Sequence, residues 1–498
     1  MLHVNATKLI PAQRASSTNF LLFVVCLAQF MVILDVSVVN IALPSMRDAL
    51  GFSTTGLQWV VNAYTITFAG FLMLGGRSAD LLGRRRVFIV GTVLFVLSSL
   101  ACAVADSRGM LIGARALQGF GGAVVSPATL SIITSSLREG PERNRGVAAW
   151  GAIGGLGASS GALLGGLLTQ VLGWPAIFAI NVPIGAVVIA LALRAIPADA
   201  EVAEQRHFDA GGALLMTAGL VTLTYGIVRT DALGWGSPGV LLPLAAAAVL
   251  VAGFVYVERR VSSAPLVPLS IFRQVQLRTA NVVVVLMYAA LFSMFFFVTL
   301  YLQQVLGDDA LEAGLSFVPI TLSVFAGSTL APRLVRRVGV RGTVTAGLLV
   351  STAGLVLLTG IRPGGSYLAL VLPGGMLAGL GMGLGLVTST IAATQGVPAA
   401  QSGLASGLLN TSRLFGGALG LAVLSTIAAA HSHVTPGVTH AAAITHGFTV
   451  AFEVGAVLCA LGAAVAATWL RNQPATEPVA ETVSERPPEL DEPEALAA

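Results

Sequence analysis

Apolar stretches of about 20 residues, separated by short polar segments, recur along almost the whole chain. A transmembrane helix needs about 20 consecutive apolar residues to cross the hydrocarbon core of a bilayer. The pattern predicts an all-α membrane protein with fourteen spans, near residues 20–43, 57–76, 87–105, 110–135, 146–169, 175–196, 209–228, 238–257, 279–302, 312–332, 343–361, 367–393, 402–430 and 447–470.

The second half of this pattern repeats the first. A shift of 256 positions, which moves Gly76 onto Pro332, lays span ten on span two, span twelve on span four and span thirteen on span five. Paired repeats in transporters enclose a site near the middle of the membrane. The predicted organisation is an N-terminus over 1–19, a six-helix bundle over 20–196, two linker helices over 209–257, a second six-helix bundle over 279–470 and a disordered tail over 471–498.

Composition supports a membrane protein and narrows its partners. The chain has 498 residues, of which 55% are hydrophobic and 10% charged, and its mean hydropathy is +0.86. The formal charge of +4 comes from basic residues in short loops on one side, which sets topology and does not indicate nucleic-acid binding. Both termini are therefore expected in the cytoplasm, and the protein is expected to be a monomer. The single lysine among 27 basic residues suggests a GC-rich bacterial genome, and hence a bacterial cytoplasmic membrane.

Three observations bear on cofactors. Cys26, Cys102 and Cys459 lie in apolar runs without the spacing of a metal or disulfide site. The four histidines near the loop before span fourteen also lack a ligand spacing. No GxxxxGK[ST] segment is present, so ATP is not expected to drive the protein. We expect no cofactor, no metal and no enzyme activity, with protons as the coupling ion.

Several motifs agree in order and spacing with one family. Segment 34–44 (LDVSVVNIALP) resembles its first-span signature, 76–85 (GRSADLLGRR) its loop between spans two and three, and 115–119 (RALQG) its fourth-span motif. Segments 151–166, 180–185 (INVPIG) and 208–212 (FDAGG) match at spans five, six and seven. The chain thus resembles the major facilitator superfamily, in particular its fourteen-span drug:proton antiporter branch. One departure is Ala162, which stands where the span-five antiporter motif usually has proline.

The resemblance implies a transporter with the major facilitator fold, which exports amphipathic drugs or antibiotics across the membrane in exchange for protons by alternating access. A dedicated exporter of one self-made metabolite or antibiotic is the alternative. A facilitator or receptor without proton coupling is a third possibility.

Charged residues inside the spans are candidates for proton coupling because a charge in the bilayer is costly. Asp35 lies inside span one, where burial favours its protonated form and suits a proton carrier. A hydrogen-bonded structural role for it stays open. Arg115 in span four either tunes the proton affinity of such a carboxylate or forms a fixed ion pair. Gln118 extends the same helix face, and Glu453 in span fourteen is a further candidate.

Two glycine-rich segments have structural hypotheses. The loop 76–86 is predicted to turn at its glycines and to act as a conformational latch, or only to set topology, through Gly76, Asp80, Gly83, Arg84 and Arg85. In span five, four-residue spacings leave one helix face bare for close packing, at Gly151, Gly157, Gly161, Gly165 and Gly166.

Polar and aromatic residues in the spans suggest a broad pocket for an amphipathic small molecule. Such side chains adapt to varied ligands. The candidates are Asn40, Asn62, Tyr64, Gln118, Tyr288, Phe295 and Arg413.

Overall fold

The computed structural model describes residues 11–137, 141–197, 210–261, 271, 273–395, 402–432 and 439–471. Most residues in these ranges are helical, and the ranges contain no β-strand. The main helices are α1 (Pro11–Leu50), α2 (Thr54–Leu82), α3 (Arg84–Ala103), α4 (Arg108–Ser136), α5 (Pro141–Leu172), α6 (Ala176–Ala195), α7 (Ala210–Val228), α8 (Pro238–Tyr256), α9 (Val275–Tyr301), α10 (Ala310–Leu358), α11 (Leu372–Thr394), α12 (Ser402–Ala430) and α13 (His440–Trp469).

Each predicted span lies on one of these helices. Within the described residues, ten helices are long and apolar enough to cross a membrane. Predicted spans ten and eleven both belong to α10, which is bent at Gly339. There φ is +75°, a conformation that glycine adopts readily. The segment 333–342, expected to be a loop, is therefore helical on both sides of a single bent residue.

The turn between α2 and α3 is also tighter than expected. The residues from Gly76 to Leu82 continue α2, and α3 begins at Arg84, so Gly83 with φ +98° is the one residue between the two helices. The expectation that Gly76 provides backbone freedom was wrong, because Gly76 lies inside a regular helix close to Pro127. Gly83 alone makes the turn.

The helices pack in two groups that meet along two pairs of helices. Within the first group α2 packs on α4, α3 on α4 and α1 on α5; within the second, α10 packs on α11 and α9 on α12. The groups contact each other mainly through α5 with α10 and α2 with α12. Helices α7 and α8 pack on each other, and α7 also contacts α2 and α12.

The two groups interlock at one end of the molecule. We name this the first-loop end, because residues 51–53 join α1 to α2 there. The opposite end, where Gly83 joins α2 to α3, is the arginine end. At the first-loop end Gln303 Nε2 donates to the carbonyl oxygen of Ile41 at 2.8 Å. Ser425 Oγ donates to Gln58 Oε1 at 2.6 Å, so two hydrogen bonds bridge the groups at this end.

Burial follows the same asymmetry. One apolar cluster joins first-loop-end residues of the first group, such as Val38 and Phe178, to residues of the second group, such as Met294 and Phe452. Toward the arginine end, the first group has a separate cluster around Phe88. The apolar core is therefore continuous between the groups at the first-loop end.

Candidate functional site

A buried ion pair lies between α1 and α4. Arg115 Nη1 is 2.6 Å from Asp35 Oδ2, and the two side chains are 1% and 0% exposed. Arg115 Nε also donates to the carbonyl oxygen of Val60 at 3.0 Å. The two residues that the sequence singled out for proton coupling are therefore direct partners.

Two amides complete the surroundings of the carboxylate. Gln118 Nε2 donates to Asp35 Oδ1 at 2.7 Å, and Asn181 Nδ2 donates to the same oxygen at 2.9 Å. Both amides also donate to Ser99 Oγ. Arg115 Nη1 reaches Gln118 Oε1 at 2.7 Å. Helices α1, α3, α4 and α6 thus each contribute one member or more to a single polar network.

Aromatic rings enclose the guanidinium. The Cζ atom of Arg115 lies 4.3 Å from the ring centre of Tyr64 and 5.6 Å from that of Phe178. A cation over an aromatic face is stabilised by the ring quadrupole, and more so without water. The Tyr64 hydroxyl and both polar atoms of the Asn62 side chain are buried without hydrogen-bond partners among the described residues.

This arrangement favours charge on both members of the pair. Two amides and one guanidinium donate to the Asp35 carboxylate, and charge-assisted hydrogen bonds stabilise the ionised form. A proton on Asp35 would remove that attraction and leave a buried guanidinium without a counter-ion, which is costly.

Sequence reasoning did not identify Ser99 and Asn181 as members of this network. Asn181 carried a usable signal, since it is an amide in an apolar run and belongs to the segment 180–185. Ser99 carried none, because serines are common in membrane helices and bond to their own backbone.

The predicted latch is described only in part. Arg84 Nε donates to Ser131 Oγ at 2.9 Å, and Arg85 Nη2 donates to the carbonyl oxygen of Leu193 at 2.8 Å. These two bonds tie the turn at Gly83 to α4 and α6. The side chain of Asp80 lies outside the described part of the structure, so the latch stays a prediction.

The glycine face of α5 receives two other helices. A Cβ atom on Gly157 would lie 2.8 Å from Ile33, and one on Gly161 would collide with Ser37, so α1 lies directly against this face. Gly165 contacts Val38 of α1, whereas Gly166 faces the backbone of Ala310 in α10. The surroundings of Gly151 lie outside the description.

The remaining candidates are dispersed. Glu453 lies on an exposed stripe of α13 with Val457 and Leu461, away from the Asp35 network, and its part in coupling stays a prediction. Arg413 and Tyr288 interact electrostatically between α12 and α9. Phe295 stacks on Phe317 at 5.7 Å. Asn40 is half-buried.

One cavity of about 490 Å³ lies at the first-loop end. Residues from both groups line it, including Ser45 and Asp48 of α1, Thr169 of α5 and Asp308 before α10. None of the residues proposed for a substrate pocket lines this cavity. The predicted pocket is therefore not formed there.

Comparisons with known proteins agree with this architecture. Residues 25–421 match the Major Facilitator Superfamily model. The chain is 40% identical to the cephamycin export protein CmcT of Amycolatopsis lactamdurans, over 86% of this chain and 89% of the relative. It is 39% identical to the puromycin resistance protein pur8 of Streptomyces alboniger, over 93% of each chain.

Solved structures show the same fold at low sequence identity. The POT family transporter PepTSo superposes with a TM-score of 0.68 at 17% identity, covering 91% of this chain and 97% of that one. The nucleoside transporter NupG superposes with a TM-score of 0.64 at 13% identity, covering 91% and 100%. On the family match and the close relatives together, the chain belongs to the Major Facilitator Superfamily.

Proposed function

We propose that the protein exports amphipathic antibiotic-like compounds across the bacterial cytoplasmic membrane in exchange for protons, as a member of the fourteen-span drug:proton antiporter branch. The names of the relatives support this substrate class, since they include cephamycin export and puromycin resistance. In this proposal the arginine end and both termini face the cytoplasm, in accordance with the excess of basic residues there.

The observation that carries proton coupling is the buried pair of Asp35 and Arg115. In the interlocked state the carboxylate is ionised and held by three donors. When the opposite state admits water from outside, a proton neutralises Asp35 and releases Arg115. In this proposal the protein then returns to the state that opens to the cytoplasm, where the proton leaves, the pair of Asp35 and Arg115 forms again and substrate enters.

A pH gradient tests this mechanism. Reconstituted protein in vesicles with an acidic interior is expected to accumulate puromycin and to lose that accumulation in Asp35→Asn. Exchange of labelled for unlabelled puromycin without a gradient should persist in the variant, because exchange requires no change in the protonation of Asp35.

Asp48→Asn is the matched control. Asp48 lies on the same helix, is 68% exposed and pairs with Arg47 at 2.8 Å. The control should accumulate puromycin like the wild-type protein. Full gradient-driven accumulation in Asp35→Asn would contradict the role of Asp35, and equal flux with and without the gradient in the wild-type protein would favour a facilitator.

A dedicated exporter of one metabolite is the second candidate, because the name of one relative refers to the export of a single compound class. A resistance profile of a sensitive host separates the two. Protection against several unrelated antibiotics supports a multidrug exporter, whereas protection against one supports a dedicated exporter.

A further inference from the structure

Arg413 is a cation inside a span with most of its donors unused. Its Nη2 donates to Thr390 Oγ1 at 2.6 Å and to the carbonyl oxygen of Leu386 at 3.4 Å. Its Nε is buried and has no partner among the described residues. A guanidinium has five N–H donors, so three of them remain available for a ligand.

Among the described residues, no carboxylate forms an ion pair with Arg413. Between residues 279 and 470 the sequence has only four acidic residues, Asp308, Asp309, Glu312 and Glu453. The first three lie at the first-loop end, where α10 begins. Glu453 lies on the exposed stripe of α13, beside Val457 at 57% and Leu461 at 51% exposure. The ionisable group that does interact with Arg413 is the phenol of Tyr288.

Comparison with Arg115 identifies Arg413 as the available anion receptor. Both arginines lie within spans. Arg115 is neutralised by Asp35 at 2.6 Å and enclosed by two rings, so it has no capacity for a second anion. An unpaired cation in a membrane-spanning segment is costly, which favours binding of an anion at Arg413.

The position of Arg413 places this receptor beside the boundary between the two groups of helices. Ser412 donates to Asn281 Oδ1 at 2.7 Å, which fixes this part of α12 against α9. Leu414 packs against the apolar cluster of the first group. Phe415 packs with Ile66 of α2 and Leu220 of α7. Arg413 therefore lies next to residues that contact the first group and α7.

We propose that Arg413 binds an anionic group, such as a carboxylate, of the transported compound, so that amphipathic acids are a preferred substrate class. This inference rests on the proposed export function and specifies its substrate. A guanidinium donates charge-assisted hydrogen bonds to a carboxylate, and no described residue accepts from the two N–H groups of Nη1.

Binding of a matched pair of fluorescent probes tests the site. Dansyl-leucine carries a carboxylate, and dansyl-leucinamide has the same shape without the charge. The wild-type protein is expected to bind the acid at least about tenfold more tightly than the amide, a difference of about 1.4 kcal/mol. Arg413→Gln should remove this preference by weakening binding of the acid, with the affinity for the amide changed less than about twofold.

Two further variants control the experiment. Arg413→Lys keeps the positive charge but lacks the planar guanidinium and its N–H donors, so it should retain part of the preference for the acid. Arg333→Gln removes an exposed arginine of α10 and should bind both probes like the wild-type protein. If Arg413→Gln does not fold, the preference of the wild-type protein and of Arg413→Lys still decides the question.

Equal affinity of the wild-type protein for the two probes would overturn the anion site, and so would an unchanged preference in Arg413→Gln. Transport separates this failure from failure of the export proposal. If the protein accumulates puromycin along the gradient but does not prefer the acid, the export proposal stands and the proposed anion site is contradicted. If the protein prefers the acid but shows no gradient-driven transport, the proposed anion site stands and the proposal of proton-coupled export is contradicted.

Discussion

Asp35 depends on side chains from three other helices, and Asn181 is the partner that is simplest to remove. Its Nδ2 donates to Asp35 Oδ1 at 2.9 Å, and a hydrogen bond to a charged group contributes about 1.5–3 kcal/mol. Asn181→Ala is therefore expected to lower the thermal unfolding temperature in detergent and to reduce gradient-driven puromycin accumulation. Thr329→Ala, at an exposed position of α10, should change neither quantity. Wild-type behaviour of Asn181→Ala would show that Gln118 and Arg115 suffice to hold the carboxylate.

Asp308 lies outside the membrane-spanning segments, and its carboxyl predicts how the stability of the protein depends on pH. Partial burial, with Glu312 and Asp309 nearby, raises the pKa of its carboxyl above the ordinary 3.8. An acid with a raised pKa binds its proton more tightly in the folded chain, so its stabilising contribution exists at low pH and is lost as the pH rises through the raised pKa. Asp308→Asn has no carboxyl group to ionise, so it avoids the free-energy cost of a partly buried negative charge at neutral pH. Its unfolding temperature should exceed that of the wild-type protein at neutral pH, and the difference should narrow toward pH 4.

The same substitution at Asp106 is the control for this pH dependence. Asp106 is exposed between α3 and α4 at the same end of the molecule. Asp106→Asn should follow the wild-type protein at each pH. A difference for Asp308→Asn that does not vary with pH would contradict the raised pKa.

For individual residues, the sequence identified which side chains belong to the site better than it predicted which of them contact each other. Asp35 and Arg115 were identified because charges inside apolar runs are rare and costly. Their direct contact was left open, because it depends on how α1 and α4 are rotated about their axes. A hydrogen-bonded role of Asp35 was left open by the sequence, and in the structure Arg115, Gln118 and Asn181 all donate to its carboxylate.

The elements themselves were largely predictable, and their ends were not. Twenty-residue apolar runs predicted the helices because the bilayer sets their length. The polar segments 77–82 and 333–342 were expected to be loops, but most of their residues are helical. Backbone hydrogen bonds are satisfied locally in a helix, so a polar composition does not end one. Only Gly83 and Gly339, with positive φ, interrupt the helices there.

Glycines also determine how α10 and α11 pack. A Cβ atom on Gly383 of α11 would collide with the backbone of Val324 and would lie 2.7 Å from the backbone nitrogen of Ser328. Gly383→Ala is therefore expected to destabilise the protein by about 1–3 kcal/mol through overpacking. Thermal unfolding in detergent measures this loss.

Gly113→Ala is the matched control for Gly383→Ala. Gly113 is exposed on α4 and a Cβ atom there would have no neighbour within 4 Å. Alanine favours a helix over glycine by up to about 1 kcal/mol, so this variant should be neutral or slightly more stable. Equal destabilisation by both variants would point to a general intolerance of alanine and not to the α10–α11 contact.

For the whole molecule, the repeat in the hydrophobic pattern predicted two halves. In the structure α1–α6 pack among themselves, as do α9–α13, and α5 with α10 and α2 with α12 join the two groups. The sequence did not predict which end is closed. That depends on contacts between residues far apart in the chain, such as Gln303 with Ile41 and Ser425 with Gln58. Alternating access requires these contacts to break, so they are the natural place to perturb the equilibrium between states.

Substitutions at the neighbouring residues Gly166 and Gly165 distinguish two effects. One is opening of the molecule at the first-loop end, and the other is loss of packing within the first half. A Cβ atom on Gly166 would lie 2.5 Å from the carbonyl oxygen of Ala310, across the boundary between the halves. One on Gly165 would lie 2.8 Å from the carbonyl oxygen of Val38, within the first half. Gly166→Ala should therefore push the halves apart at the first-loop end, whereas Gly165→Ala should lower stability without opening that end.

Spin labels report the separation directly. Asp106→Cys and Ser366→Cys place one label on each half at exposed positions of the first-loop end. Gly166→Ala is expected to shift the distance distribution toward longer values by several ångströms or to add a longer component, and Gly165→Ala should keep the distribution of the parent. The same shift in both variants would mean that loosening α5 anywhere opens the molecule. No shift in either would mean that the hydrogen bonds of Gln303 and Ser425 hold the halves together without α5, which would make those two residues the next positions to change.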